Sequence, residues 1–316
     1  MKVAYLLAGA CGLLISAGAA SAQTPDPAPS HAVPGVTVTA PSNLTPAQQV
    51  ERFGQVDSKG RLARWDQAVC PAVVGLGQDF DGFIVNRIRA VANQVDAQVA
   101  PEACNLNVLI LITPKPDEIT AKLAQYKAHQ LAGGRWGIEK AKLAAFSASK
   151  DPVRWLYLSD TTQTSGAGAA TPASIGGAGD ALAAFFGHTA LPHQPEFDNT
   201  TPSRLRPAGD EAFSQAVIIV DANRIAGLSA GQVADYLAMA SLAHVRADSS
   251  FAGTDTVLNL FAPGLDAGQR PAGLTHWDLD YLTALYKSDG QVTYSAQESH
   301  ITTRMKVEQA EASNQK

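Results

Sequence analysis

The run Ala216-Val-Ile-Ile-Val-Asp221 and the segment Leu228-Ser-Ala-Gly-Gln-Val-Ala-Asp-Tyr-Leu-Ala-Met-Ala-Ser-Leu-Ala-His-Val245 decide the fold. The first is a short, continuous apolar run of β-branched residues, the pattern of a strand covered on both faces. The second opens with Ser229 and places Gln232 three residues later, with Leu228 and Val233 flanking them. That is a capping box with a hydrophobic staple, so a helix is predicted to start at this serine. Val233, Tyr236, Leu237, Ala240 and either Ala243 or His244 form its apolar stripe, while Ala234, Ala238, Ala240 and Ser241 are small enough for neighbours to approach closely.

Upstream, Phe80, Phe83, Ile84, Ile88 and Val91 recur at helical spacing and predict an amphipathic helix over 79–95. Asn107-Val-Leu-Ile-Leu-Ile-Thr113 reads as a second strand covered on both faces. A helix over 117–131 follows, with acids in its first turn and Ile119, Leu123 and Tyr126 on one face. Val153-Arg-Trp-Leu-Tyr-Leu-Ser159 alternates as a strand. Two long irregular stretches come next: 161–187, rich in Gly, Ala, Ser and Thr, and 188–210, rich in Pro. Loops of that length inside a domain are commonly functional, so residues 161–210 are the expected binding surface, the bland alternative being a surface flap. Downstream, Leu274-Thr-His-Trp-Asp-Leu279 repeats the capping device, with Thr275 as cap and Asp278 reaching back, and starts a helix to Tyr286. The expected organisation is a leader at 23–46, one domain at 47–287 and a polar tail at 288–316.

At the front, Met1-Lys2, the apolar run Val3–Ile15 and Ala20-Ser-Ala22 have the three regions of a secretory signal peptide over residues 1–22. Export to the periplasm or beyond the cell is therefore the expected localisation. Removing the signal takes away one lysine and moves the net charge from −5 to −6. That balance gives no reason to expect nucleic acid as a partner, and no second apolar run of bilayer length follows residue 22. In an oxidising compartment Cys70 and Cys104 are expected to form a disulfide, two buried thiols being the alternative. Residues 23–46, with Thr24-Pro-Asp-Pro-Ala-Pro29, have the composition of an extended leader, within which 36–41 alternates like a short strand or linker.

The helix that begins at Ser229, the strand before it and the segments Thr256-Val-Leu-Asn259 and Leu274–Tyr286 resemble the metal-binding half of zincin-type metallopeptidases. They are also similar to a family of exported bacterial proteins that look like degenerate zincins. In metzincin-like members the helix reads H-E-x-x-H-x-x-G-x-x-H, putting imidazoles on one zinc with a glutamate as base, and a methionine turn follows. The resemblance implies an α+β, zincin-like fold: a mixed β-sheet packed against a central helix, with flanking helices. Carried over, Asp235 stands at the first histidine, Tyr236 at the glutamate, Met239 at the second histidine, Leu242 at the glycine, Val245 at the third ligand and Leu258 at the turn methionine. The ligand set is gone. A phenol is no carboxylate base, and a thioether suits soft metals rather than catalytic zinc.

What is left is sparse. Asp235 is expected to be solvated or to cap something nearby, and His244 to lie at the surface by a helix C-terminus, where a cation is favoured. His188 and His193 sit in the Pro-rich stretch without partners of fixed geometry. Arg204 and Arg206 are placed to hold a carboxylate or to stand as a solvated pair. No Gly-x-Ser-x-Gly elbow occurs, and Gly176-Gly-Ala-Gly179 has no strand before it. Two readings follow. In the first, the chain is an exported, catalytically inactive zincin-like protein, with no cofactor or metal, that binds an envelope protein or peptide through 161–210. In the second, it is a metal-dependent hydrolase with relocated ligands drawn from His188, His193, His244 and Asp235.

Overall fold

In the computed structural model, residues 44–54, 61–132, 140–162, 210–246, 250–290 and 292–314 are described. The signal segment, the leader up to residue 43, the strand-like 36–41 and nearly all of 161–210 lie outside them.

Helix α1 (Pro46–Phe53) starts from a Thr45–Gln48 capping box with proline at its first position. The sheet follows: β1 (Pro71–Val74), β2 (Val108–Thr113), β3 (Val153–Thr162) and β4 (Asp210–Asp221), in spatial order β1-β2-β4-β3. The first three in that order are parallel, and β3 runs antiparallel along β4, so the sheet is mixed. Helix α2 (Gln78–Gln94) connects β1 to β2; α3 (Pro116–Ala132) and α4 (Lys140–Ala148) lie between β2 and β3; α5 (Ala230–Leu242) follows β4. Two 3-10 turns, Val257–Phe261 and Ala267–Gln269, lead to α6 (His276–Tyr286) and α7 (Tyr294–Asn314). The architecture is α+β.

Side-chain alternation sorts the sheet into two faces. Val108, Ile110 and Ile112 of β2, with Ala216, Ile218 and Val220 of β4, point into the main core beside α2, α5 and α6. Leu109 with Val217 and Ile219 point the other way, onto Leu123 of α3 and Phe146 of α4. Burial on both faces explains why the two strands read as unbroken apolar runs. Both expected capping boxes are present: the Ser229 side chain accepts from Gln232 N, and Thr275 from Asp278 N.

Four expectations are corrected. Strand β4 begins at Asp210, not Ala216. Its first half, Asp-Glu-Ala-Phe-Ser-Gln, is largely polar rather than a continuous apolar run, and there it pairs with the end of β3 and touches Arg64 rather than β2. Helix α4 was not expected; Leu143 and Phe146 fasten it to the second face. Residues 288–316 are not simply a polar tail. Helix α7 packs on α1 and α6, burying Ile301 and Met305, and Gln297 bonds both backbone groups of Leu62 at 2.9 and 3.1 Å. Finally, Phe80 and Phe83 do not join the core stripe of α2: Ile84, Ile88, Val91 and Val95 fill it, leaving both phenylalanines exposed. The period marks a helix face, but not where the neighbouring elements stop.

Cys70 and Cys104 form the expected disulfide, closing a sequence separation of 34 residues. Asn107 fixes the strand entrance beside it, accepting from Cys70 N at 2.7 Å and donating to Ala68 O at 3.0 Å. No helix among the described residues is long and apolar enough to cross a membrane.

Candidate functional site

Helix α5 carries the positions on which the functional question turns. Every residue from Val233 to Leu242 is buried, so the helix has no free face along that length. Met239 and Val245 have no exposed surface, and Leu242 none either. Leu258 is buried in the first 3-10 turn, where Thr256 caps the backbone N–H of Leu258. Tyr236 lies against Phe261, ring centroids 5.0 Å apart and nearly perpendicular. Burial pushes the Tyr236 phenol far above its ordinary range, so it stays protonated at any physiological pH. These five positions belong to the core.

Asp235 is neither solvated nor alone. One carboxylate oxygen accepts from Nε of Arg87 on α2 and the other from the backbone N–H of Leu274 at 2.9 Å. The side chain thus ties α2, α5 and the segment entering α6 into one joint, which is a capping role of the kind expected but directed at tertiary rather than local structure. Gly273 lets that segment approach: a Cβ there would stand 2.3 Å from Oδ2 of Asp235.

His244 is not at the surface, contrary to expectation. It is buried between the rings of Tyr157 and Phe213, at 5.3 and 5.0 Å and edge to face. Its Nδ1 accepts the backbone N–H of Ala63 at 3.3 Å, which requires an unprotonated nitrogen there. Desolvation pushes its pKa down to about 3, so the ring is neutral. The chain leaves the helix before His244, at Ala243, and turns extended, carrying the ring inward instead of past the helix end.

Around that exit, the carbonyls that a helix end leaves without intrahelical donors are taken by aromatic side chains. Tyr157 Oη donates to Ala240 O, Trp65 Nε1 to Ser241 O at 2.8 Å and Tyr286 Oη to Leu242 O at 3.0 Å. Just beyond, Trp155 Nε1 donates to Val245 O at 2.9 Å. Sequence reading missed this cage. Its one signal was Trp and Tyr, each an apolar body with a polar tip, recurring in segments that read as buried.

Asp278 is the second polar centre. It is fully buried and accepts from Thr256 Oγ1, from Val257 N at 2.8 Å and from Thr275 N at 2.9 Å. Burial pushes its pKa up to about 6, against the pull of those donors. Thr275 Oγ1 meanwhile donates to Asp255 O at 2.6 Å, fastening the start of α6 to the 3-10 turn.

Among the described residues no three His, Cys, Asp or Glu side chains are grouped to hold a metal ion. His188, His193, Arg204 and Arg206 lie outside those residues. No family model, curated protein or solved structure matches the chain.

Proposed function

We propose that this chain is an exported, non-catalytic protein built on a zincin-like scaffold, which binds an envelope protein or peptide through residues 161–210. The observation that carries this reading is the state of helix α5. Asp235, Tyr236, Met239 and Val245, the counterparts of the base and the three ligands, are all packed. The two polar groups left near them are committed, Asp235 to Arg87 and Leu274, and His244 to Ala63. A mixed sheet set against a central helix supports the scaffold reading, and the Cys70–Cys104 disulfide agrees with an oxidising compartment. A site that has decayed while its fold is kept would lose its chemistry and keep its caps and packing. Fold alone names no task, so the binding role rests on the long segment between β3 and β4.

The test is metal content and melting temperature of the purified chain, with and without chelator. The reading expects no bound zinc and an unchanged melt. Stoichiometric zinc whose removal lowers the melting temperature would overturn it and favour the relocated-ligand hydrolase. Excising residues 163–209 should abolish capture of envelope proteins while leaving the melt of the domain nearly unchanged.

A further inference from the structure

Three large apolar side chains stand in the open around the start of α2: Leu76, Phe80 and Phe83, exposed by 38%, 54% and 46%. They are held in place. The turn before the helix is fixed by Asp81, which accepts from Gly75 N at 3.2 Å and Leu76 N at 3.0 Å. Gly75 adopts φ +136° and has no room for a Cβ, which would stand 1.9 Å from Ile112 O. Phe80, Phe83, Arg87 and Ala90 continue along one flank of α2 at alternating spacings of three and four, the spacing of a helix-pairing seam.

Charges on that flank identify what pairs with it. Asp79 is exposed and makes no ion pair or hydrogen bond among the described residues. Arg87 gives its Nε to Asp235, while its side chain stays 39% exposed on this flank. If two α2 helices cross antiparallel with Phe83 on the twofold axis, residue 79 of each stands opposite residue 87 of the other. Acid then meets base twice, while Phe80 and Phe83 interdigitate between them. A twofold interface requires this reciprocity of a surface, and no unrelated partner does. An anionic lipid surface fits poorly, because Asp79 and Asp81 are interleaved with the aromatics.

We propose that the α2 flank centred on Phe83 joins two copies of this chain in an antiparallel, twofold dimer. Light scattering after size exclusion, on the full chain across a dilution series, should give twice the chain mass at high concentration. Phe83→Asp should weaken association roughly 30-fold or more with an unchanged melting temperature, since Phe83 supports no core. Asp79→Arg should weaken it too and remove its sensitivity to salt. Under oxidising conditions Phe83→Cys should cross-link copies and Ala90→Cys should not. Across that axis the 83 positions meet, whereas the 90 positions lie roughly 21 Å apart at the helical rise per residue, beyond disulfide reach. The cross-linking pair decides the matter even if Phe83→Asp fails to fold. A monomer at every concentration, a dimer indifferent to both charged variants, or linkage at 90 as ready as at 83 would overturn the proposal.

Discussion

Gly273 and Asp235 approach so closely that one methyl group would not fit between them: a Cβ on Gly273 would lie 2.3 Å from the carboxylate oxygen that accepts Leu274 N–H. Asp235 therefore works as a clasp between α2, α5 and the segment entering α6, and the clasp can be opened from either side. Gly273→Ala should destabilise the fold by about 1–3 kcal/mol through overpacking. Asp235→Ala should cost about 2 kcal/mol, because Leu274 N–H loses its acceptor while Arg87, partly in water, is rehydrated. Urea unfolding of the two single variants and the double should give less than the sum, since both open the same contact.

Two buried groups give stability an unusual dependence on pH. His244 is neutral in the fold and has its pKa depressed from 6.5 to about 3, so its contribution is complete above 6.5 and drains away as pH falls toward 3. Asp278 has its pKa raised from 3.8 to about 6, so its contribution is complete below 3.8 and is lost as pH rises through 6. Between about pH 4 and pH 6 the two slopes oppose each other, each being one proton or about 1.4 kcal/mol per pH unit, and they should cancel. Asp278→Asn should unmask the His244 slope, making stability rise with pH across that window relative to the wild-type curve. Denaturant midpoints measured at half-unit pH steps check this.

The aromatic cage predicts that two tyrosines on the same helix, Tyr281 buried and Tyr286 half-buried, differ in worth. Tyr286→Phe removes the donor to Leu242 O and should cost about 1 kcal/mol. Tyr281 Oη has no hydrogen-bond partner among the described residues, so Tyr281→Phe should leave stability unchanged or slightly raised. Thermal melts of the two variants side by side distinguish them.

Opening the Cys70–Cys104 bridge should lower stability by about 3–4 kcal/mol on the chain-entropy account of a loop of this length. Chemical denaturation with and without a thiol reductant measures it, and mass analysis without reduction should find both thiols absent.

Much of the fold was legible because local chemistry and tertiary need agree. Ser229 with Gln232 and Thr275 with Asp278 announce their helices through atoms only three residues apart, and the runs around Ile110 and Ile218 announce strands covered on both faces. What escaped depends on distant neighbours. The polar start of β4 becomes strand only because β3 is long enough to pair with it, and α7 is anchored by Gln297 reaching Leu62 far back in the chain. At the candidate site the apolar stripe through Val233, Tyr236, Leu237 and Ala240 was legible from its helical spacing. The polar contacts were not: Asp235 as a three-way joint and His244 as a neutral ring inside the core depend on Arg87, Leu274, Ala63 and Phe213, none of them adjacent in sequence.

The pairing of Thr162 with Asp210 places the two ends of segment 163–209 side by side at the mouth of the β3–β4 ladder. Joining two neighbouring strand ends by a longer or shorter connection changes the closure entropy only logarithmically. In closure entropy alone, the connection between these two strand ends can be lengthened or trimmed at little expense. An insertion between Thr162 and Asp210 enters and leaves at two neighbouring strand ends, which makes that point the place to graft a foreign loop.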